Sequence, residues 1–271
     1  MGQDKQILLV GFGNMGQALA RGWLANKRDA KTISVVDPDP RARATAQDLG
    51  LVASADLAAR NKRADVIVLA VKPNQLAAAL TECRASDQTD RVYLSIAAGK
   101  TIRQMLDALH PAAAAVRAMP NTPAAIGRGM TVLTASDAVT SAQRMLCGDL
   151  LAAVGAVAWV DDERQMDAVT AVSGSGPAYV FLLIECLQQA AVEIGLSPDL
   201  ARQLATTTVA GAGAYALASD ESAAQLRQRV TSPGGTTQAA LAVLDSERGL
   251  AQLIGRAVQA AAARSRALAA V

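Results

Sequence analysis

Six residues near the start of the chain, Gly11-Phe12-Gly13-Asn14-Met15-Gly16, constrain the fold more than any other feature. Alone, a G-x-G-x-x-G string is a common glycine turn. Here a strand pattern over residues 6–10 runs straight into it, and helical periodicity over residues 15–24 follows. A second apolar run, 33–36, then ends at Asp37, 21 residues beyond Gly16. That order of strand, glycine turn, helix and strand ending in an acid is the fingerprint of a dinucleotide site. Gly11 permits the tight turn, Gly13 lets the backbone approach a pyrophosphate, and Gly16 lets helix pack on strand. The helix N-terminus adds unpaired N–H groups and positive potential for phosphate oxygens. Asp37 is placed to hold the ribose hydroxyls, which favours NAD, while Arg41 and Arg43 could pair with a 2′-phosphate, which favours NADP. The Asp37-Pro38-Asp39-Pro40 sequence also reads as turn and helix-cap chemistry. The choice between NADPH and NADH stays open.

The rest of residues 1–160 repeats the same grammar. Short apolar runs at 66–70, 92–96, 115–118, 130–133 and 156–160 alternate with helical stretches at 41–49, 75–83, 101–109 and 141–151. Such alternation predicts an α/β fold, a doubly wound parallel sheet covered on both faces. Ligands bind such sheets at the carboxyl ends of the strands. Two further segments fall there. Ala70, Val71, Lys72 and Pro73 follow the fourth apolar run, and Ala97, Ala98 and Gly99 close the next one.

After residue 160 the strand signal disappears. Residues 161–271 read as an all-α domain, with a helix toward Val172 interrupted by Gly174-Ser175-Gly176-Pro177. Helices over 178–194, with Gly195 as terminator, and from Ser197 to Ala218 follow. A short helix near 221–230, a Ser-Pro-Gly-Gly loop and two closing helices complete it. About 110 residues of Ala-, Gly- and Thr-rich helices make a thin core, which predicts burial against a second copy.

Composition narrows the function. With one His and three widely spaced Cys there is no zinc spacing, and the pattern suits a reducing cytoplasm. The longest uncharged stretches, 168–184 and 203–219, are broken or diluted by Gly, Ser and Thr, so no membrane span is expected. The opening MGQDKQILLVG carries Asp4 and enters a strand pattern at once, unlike a secretion signal. Residues 1–160 hold 18 Lys and Arg against 13 Asp and Glu, while residues 161–271 hold 8 against 11. That surplus suits an anionic ligand, but no basic run is interleaved with aromatics, so no nucleic-acid surface is expected.

Residues 161–271 contain neither Lys nor His. Reduction of a ketone needs a group that delivers a proton to the developing alkoxide. An imine nitrogen is basic enough for water or a hydroxyl to supply the proton. Two loops, Ser173 to Pro177 and Thr231 to Thr237, each put hydroxyls and free backbone N–H groups at a helix start, as a small carboxylate requires.

GFGNMG, AVKP, AMPNTPAAIGRGMT, SGSGPAYVF and VTSPGGTT, in that order, resemble the pyrroline-5-carboxylate reductases from Gly11 to about Leu250. The resemblance implies a Rossmann domain over 1–160 and a helical substrate-binding and dimerisation domain over 161–271. It implies NADPH- or NADH-dependent reduction of the cyclic imine to L-proline, the last step of proline biosynthesis, by a homo-oligomer that is often a ring of five dimers. Gly11 to Met15 would bind the pyrophosphate, and Ala70 to Pro73 with Ala97 to Gly99 would line the nicotinamide half. Ser232, Gly234, Gly235, Thr236 and Thr237 would grip the substrate carboxylate, and the Thr237 hydroxyl would be the proton donor at the ring nitrogen. Asp220 or Glu221 would face the ring. Two departures stand out. Asp37-Pro38 occupies the place where members preferring NADPH often carry Ser or Asn-Arg, and Asp56-Leu57 the place of an adenosine-contacting Asn. A related imine or β-hydroxyacid reductase is the alternative enzyme. A dinucleotide sensor without catalysis is the alternative of another class, against which the intact VTSPGGTT loop argues.

Overall fold

The computed structural model describes residues 5–57, 64–84 and 90–269, so Asp4 of the opening stretch lies outside the described residues. The chain divides into two compact units. One comprises residues 1–174 with 262–271, and the other residues 175–261.

The first unit is built on one eight-stranded sheet in the order β3-β2-β1-β4-β5-β6-β7-β8. The strands are β1 (Ile7–Val10), β2 (Ile33–Val36), β3 (Val52–Ser54), β4 (Val66–Leu69), β5 (Val92–Ser95), β6 (Ala114–Met119), β7 (Gly129–Ala135) and β8 (Gly155–Trp159). β1 and β4 have every residue buried, as expected of central strands covered on both faces. Helices α1 (Asn14–Ala25), α2 (Pro40–Asp48), α3 (Leu76–Arg84), α4 (Ile102–Ala108) and α5 (Ser141–Ala152) supply the cover. Alternate residues of the strands enter two separate cores. Leu9, Val35, Val68 and Leu94 join Trp23 and Leu150 on one face, while Leu8, Ile67 and Tyr93 join Leu80 and Met105 on the other. The Trp23 indole donates to the Leu150 carbonyl at 2.8 Å, which lets so large a side chain sit in the core. Burial pushes the thiol of Cys147, in the same core, up to about 12, so it is no nucleophile at neutral pH.

Two features depart from the sequence reading. β7 pairs with β6 antiparallel, Val116 opposite Ala135, because the nine-residue connection between them is too short for a parallel crossover. β3 is an edge strand of three partly exposed residues with no apolar run to announce it.

The Gly-Ser-Gly-Pro sequence bends the chain without ending its helical run. A 3₁₀ turn (Glu163–Gln165) leads to α6 (Met166–Val169), a π-helical turn (Thr170–Gly174) and then α7 (Gly176–Glu193). The π turn takes up the irregularity that the sequence reading assigned to a break. As a result Glu163–Glu193 is 31 residues long and apolar enough, by length and composition, to cross a membrane, and only 6% of its most apolar window is buried within this chain.

The second unit holds α7, α8 (Pro198–Ala218), α9 (Ala223–Arg229), α10 (Thr236–Leu244) and most of α11 (Leu250–Ala269). Gly195, at φ +99°, terminates α7, and the Ser197 hydroxyl accepts from the Leu200 N–H to start α8. Among its residues only Ala201, Ala205 and Gly249 are buried. Phe181, Leu182, Leu217 and Leu253 are each more than half exposed, so this unit has too little interior to be stable by its own burial.

Candidate active site

The strand order reverses at β1, where the chain passes to β2 on one side and returns to β4 on the other. The crevice at such a switch point is where an open α/β sheet binds its ligand. Gly11 sits there at φ +93°, bonded through its N–H to the Val36 carbonyl at 2.8 Å. A Cβ at Gly11 would come within 2.5 Å of the Ala70 carbonyl oxygen, so the close approach of the β1 and β4 ends requires glycine. A Cβ at Gly16 would strike the Gly11 carbonyl, so the start of α1 can lie on the end of β1 only without a side chain there. Gly13 differs from both. Nothing lies within 4 Å of a Cβ built on it, and the residue is exposed.

Gly13 is the N-cap of α1 and offers no side chain to the first turn. Among the described residues no acceptor meets the N–H groups of Asn14 or Met15. Three glycines, an open backbone cradle and unmet amides at a helix N-terminus match the needs of a dinucleotide pyrophosphate. Phe12 points the other way, fully buried in the core.

Asp37 is at the end of β2, as the fingerprint requires, and its carboxylate shapes the turn. Oδ2 accepts from the Phe12 N–H at 2.6 Å and Oδ1 from the Asp39 N–H at 2.8 Å. Arg43 donates through Nη1 to the carbonyls of Asp37 at 2.9 Å and Pro38 at 2.8 Å, which fixes its guanidinium beside the turn. An acid and a cation thus share the corner at the end of β2. Arg41 is exposed on the first turn of α2, its N–H capped by Asp39 at 3.0 Å.

A groove of about 280 Å³ opens along the same edge of the sheet, toward β5 and β6. Met15, Ala70, Val71, Ile96 and Ala98 line it together with residues 119–122 and Gly174. Of the sequence candidates, Met15, Ala70, Val71 and Ala98 therefore share one wall. Lys72 and Pro73 lie outside the lining, both exposed, with Lys72 capping a 3₁₀ turn. Ala97 turns into the core with its N–H on the Ser95 hydroxyl at 3.2 Å, and Gly99 is buried at φ +70°.

In sequence, the segment Met119-Pro120-Asn121-Thr122 carries the family resemblance and no role of its own. The structure gives it the far wall. Asn121 Oδ1 accepts from the Met130 N–H at 2.8 Å, and Nδ2 donates to the Ser173 carbonyl at 3.1 Å. One carboxamide so ties β7 and the π turn to the end of β6. A Cβ on Gly174 would meet the Met119 methyl, the far end of a flexible side chain that can move aside. The available signal was position, since the segment directly follows an apolar run at the carboxyl edge.

In the second unit the loop before α10 carries the other candidates. Gly234 has φ +72° and donates its N–H to Gln238 Oε1 at 2.6 Å. Gly235 bonds to the Ser232 carbonyl at 3.0 Å and caps α10 without a side chain. Among the described residues no acceptor meets the N–H groups of Thr236 and Thr237, which begin α10. Two free amides at a helix N-terminus, with the half-buried Thr237 hydroxyl beside them, have the chemistry that a small carboxylate needs. Asp220 is exposed in the turn between α8 and α9 and makes no bond with this loop, while its neighbour Glu221 pairs with Arg229 at 2.6 Å.

Known proteins match this architecture over its full length. Residues 163–268 match the family pattern described as pyrroline-5-carboxylate reductase dimerisation, and residues 6–99 that of NADP oxidoreductase, coenzyme F420-dependent. The pyrroline-5-carboxylate reductase of Haemophilus influenzae is 41% identical over 97% of each chain, and that of Pseudomonas aeruginosa 40% identical over the same share. A solved pyrroline-5-carboxylate reductase from Coxiella burnetii superposes with a TM-score of 0.93 at 38% identity over 98% of both chains. The Plasmodium falciparum pyrroline carboxylate reductase, solved with NADP bound, superposes with a TM-score of 0.86 at 29% identity over 98% of this chain and 99% of its own. The C-terminal match accounts for the exposed apolar helices as a self-associating surface. By its sequence and its fold, the chain belongs to the pyrroline-5-carboxylate reductase family.

Proposed function

We propose that the protein reduces 1-pyrroline-5-carboxylate to L-proline with NADPH or NADH, as the last step of proline biosynthesis in the cytoplasm. The observation that carries this reading is the pairing of two anion sites of different size in one chain. The glycine turn at Gly11 to Gly16 suits a pyrophosphate, and the α10 N-terminus suits a single carboxylate. A dinucleotide sensor has no use for the second.

The reduced nicotinamide supplies a hydride to the imine carbon when bound. The chain's own residues do the remainder. Asn14 and Met15 amides hold the pyrophosphate, and the apolar wall of Met15, Ala70, Val71 and Ala98 excludes water from the nicotinamide half. Water exclusion protects the hydride donor and strengthens every polar contact made inside. Thr236 and Thr237 amides fix the substrate carboxylate, while Gly235, whose N–H goes to the Ser232 carbonyl rather than to the substrate as the resemblance implies, caps the helix. Ser232 and Gly234 hold that loop in shape, Ser232 through its carbonyl and Gly234 through its left-handed turn. The Thr237 hydroxyl gives its proton to the ring nitrogen as the C=N double bond becomes C–N. Lys72 meets a cofactor phosphate or ribose from the groove rim, and Asp220 approaches the ring from the α8–α9 turn. Asp37 and Arg43 together let the adenosine end take either cofactor. We further propose a dimer as the working unit, extended to a ring of five dimers, with no membrane or nucleic-acid partner.

Two measurements test this. Purified protein should consume NADPH or NADH, read by absorbance of the reduced cofactor, only when racemic pyrroline-5-carboxylate is present. Thr237→Ala should lower turnover by about tenfold to a hundredfold, at or below the low end of the usual general-acid contribution because water can partly replace the hydroxyl. Unchanged turnover would leave water as the proton donor.

A further inference from the structure

Arg117 is a buried charge that the proposed chemistry does not use. It lies on β6 with its side chain 5% exposed, two residues before Met119 and the groove wall. Its Nη1 donates to Glu163 Oε1 at 2.8 Å. The same carboxylate oxygen accepts the backbone N–H of Ile102, also at 2.8 Å. Ile102 is the first residue of α4, directly after the loop that carries Ile96, Ala98 and Gly99. One oxygen atom therefore joins β6, just before the groove-lining residues 119–122, to the N-terminus of α4, which follows the groove-lining residues 96 and 98. Glu163 is itself held in place. It opens a 3₁₀ turn capped by Asp162, whose carboxyl the Arg164 guanidinium keeps below the usual carboxylate range.

An ion pair serving stability alone could sit anywhere in the core, and an apolar pair of similar volume would often do as well there. This one bridges two groove walls through a shared acceptor. We infer that Glu163 is a positioning residue for the nicotinamide end of the cofactor, setting the separation of the residue 96–99 loop from residues 119–122. The inference rests on the function proposed above and adds a residue that contacts neither cofactor nor substrate. Its carboxylate fixes β6 through Arg117 and the α4 N-terminus through Ile102. Losing it frees both walls at the place where a misfit of about an ångström costs most.

The test compares two ligands that differ only in the nicotinamide. Dissociation constants for NADPH and for 2′-phospho-ADP-ribose are measured by fluorescence titration on the wild type, Glu163→Ala, Glu163→Gln and the double variant Arg117→Met with Glu163→Met. The double variant removes both charges, so no unpaired guanidinium is left buried to unfold the protein. Glu163→Ala and the double variant should bind NADPH about fivefold more weakly, the equivalent of one lost hydrogen bond. Their affinity for 2′-phospho-ADP-ribose should not change. Glu163→Gln, which keeps an oxygen for Ile102, should recover most of the loss. Wild-type affinity for both ligands in the folded double variant overturns the inference, and so does equal weakening of both ligands. Wild-type turnover of pyrroline-5-carboxylate, measured alongside, separates the two readings. Its absence counts against the proposed reaction, whereas normal wild-type turnover with an unaltered double variant removes only the role of Glu163.

Discussion

At the residue scale, the three glycines of the first turn are glycine for different reasons, and substitution separates them. Gly13 has open space around it, so Gly13→Ala should leave the melting temperature near that of the wild type while weakening cofactor binding, because the added methyl would stand in the path of the proposed pyrophosphate. Gly16→Ala drives a methyl into the Gly11 carbonyl and should lower both stability and binding, the former by about 1–3 kcal/mol as for other overpacked sites. Thermal melts together with cofactor titration check the pair. Equal destabilisation by both substitutions would remove the distinction. The glycine spacing and Asp37 were legible in sequence because the fingerprint is local, every member lying within one β-α-β unit. Asn121 and Glu163 were not. Each acts on partners that are distant in sequence, Ser173 for one and Arg117 and Ile102 for the other, so no spacing in the chain announces them. Asp37 shows a further limit. Its position was readable, but the hydrogen bonds from Phe12 and Asp39 that tie its carboxylate to the turn appear only in three dimensions.

At the scale of elements, apolar runs located the strands because buried parallel strands are apolar on both faces, and β2 spans the residues expected of it. β3 escaped because an edge strand with partly exposed residues needs no such run. The direction of β7 escaped because strand direction depends on the connection, not on the strand's own residues. Helix starts were readable where a cap is local. α5 is capped by Thr140, whose hydroxyl accepts from the Gln143 N–H at 3.2 Å, while the Gln143 side chain accepts from the Thr140 N–H at 2.9 Å. Thr140→Ala removes half of this box and should cost about 1 kcal/mol of stability. Because α5 covers β7 and β8 rather than the glycine turn, the steady-state constants should stay at wild-type values. A changed KM for cofactor would contradict that assignment.

At the scale of the whole molecule, the second unit is too thin to stand alone, and its apolar helices explain the membership of a family with a dimerisation domain. Phe181, 62% exposed on α7, lies within the apolar helical run Glu163–Glu193. Phe181→Glu places a charge there and should shift the protein toward monomer or unfolded chain, read by light scattering coupled to size exclusion. An unchanged mass and melting temperature would place the self-association surface elsewhere. The absence of His and Lys from residues 161–271 likewise takes on a chemical meaning at this scale, since an imine can take its proton from water or a hydroxyl where a ketone needs a stronger acid. The most direct test of that account is the product itself. Protein incubated with racemic pyrroline-5-carboxylate and reduced cofactor should form L-proline, resolved by chiral chromatography, in amounts equal to the cofactor oxidised. Cofactor oxidation without L-proline, or no oxidation with either NADPH or NADH, would contradict it.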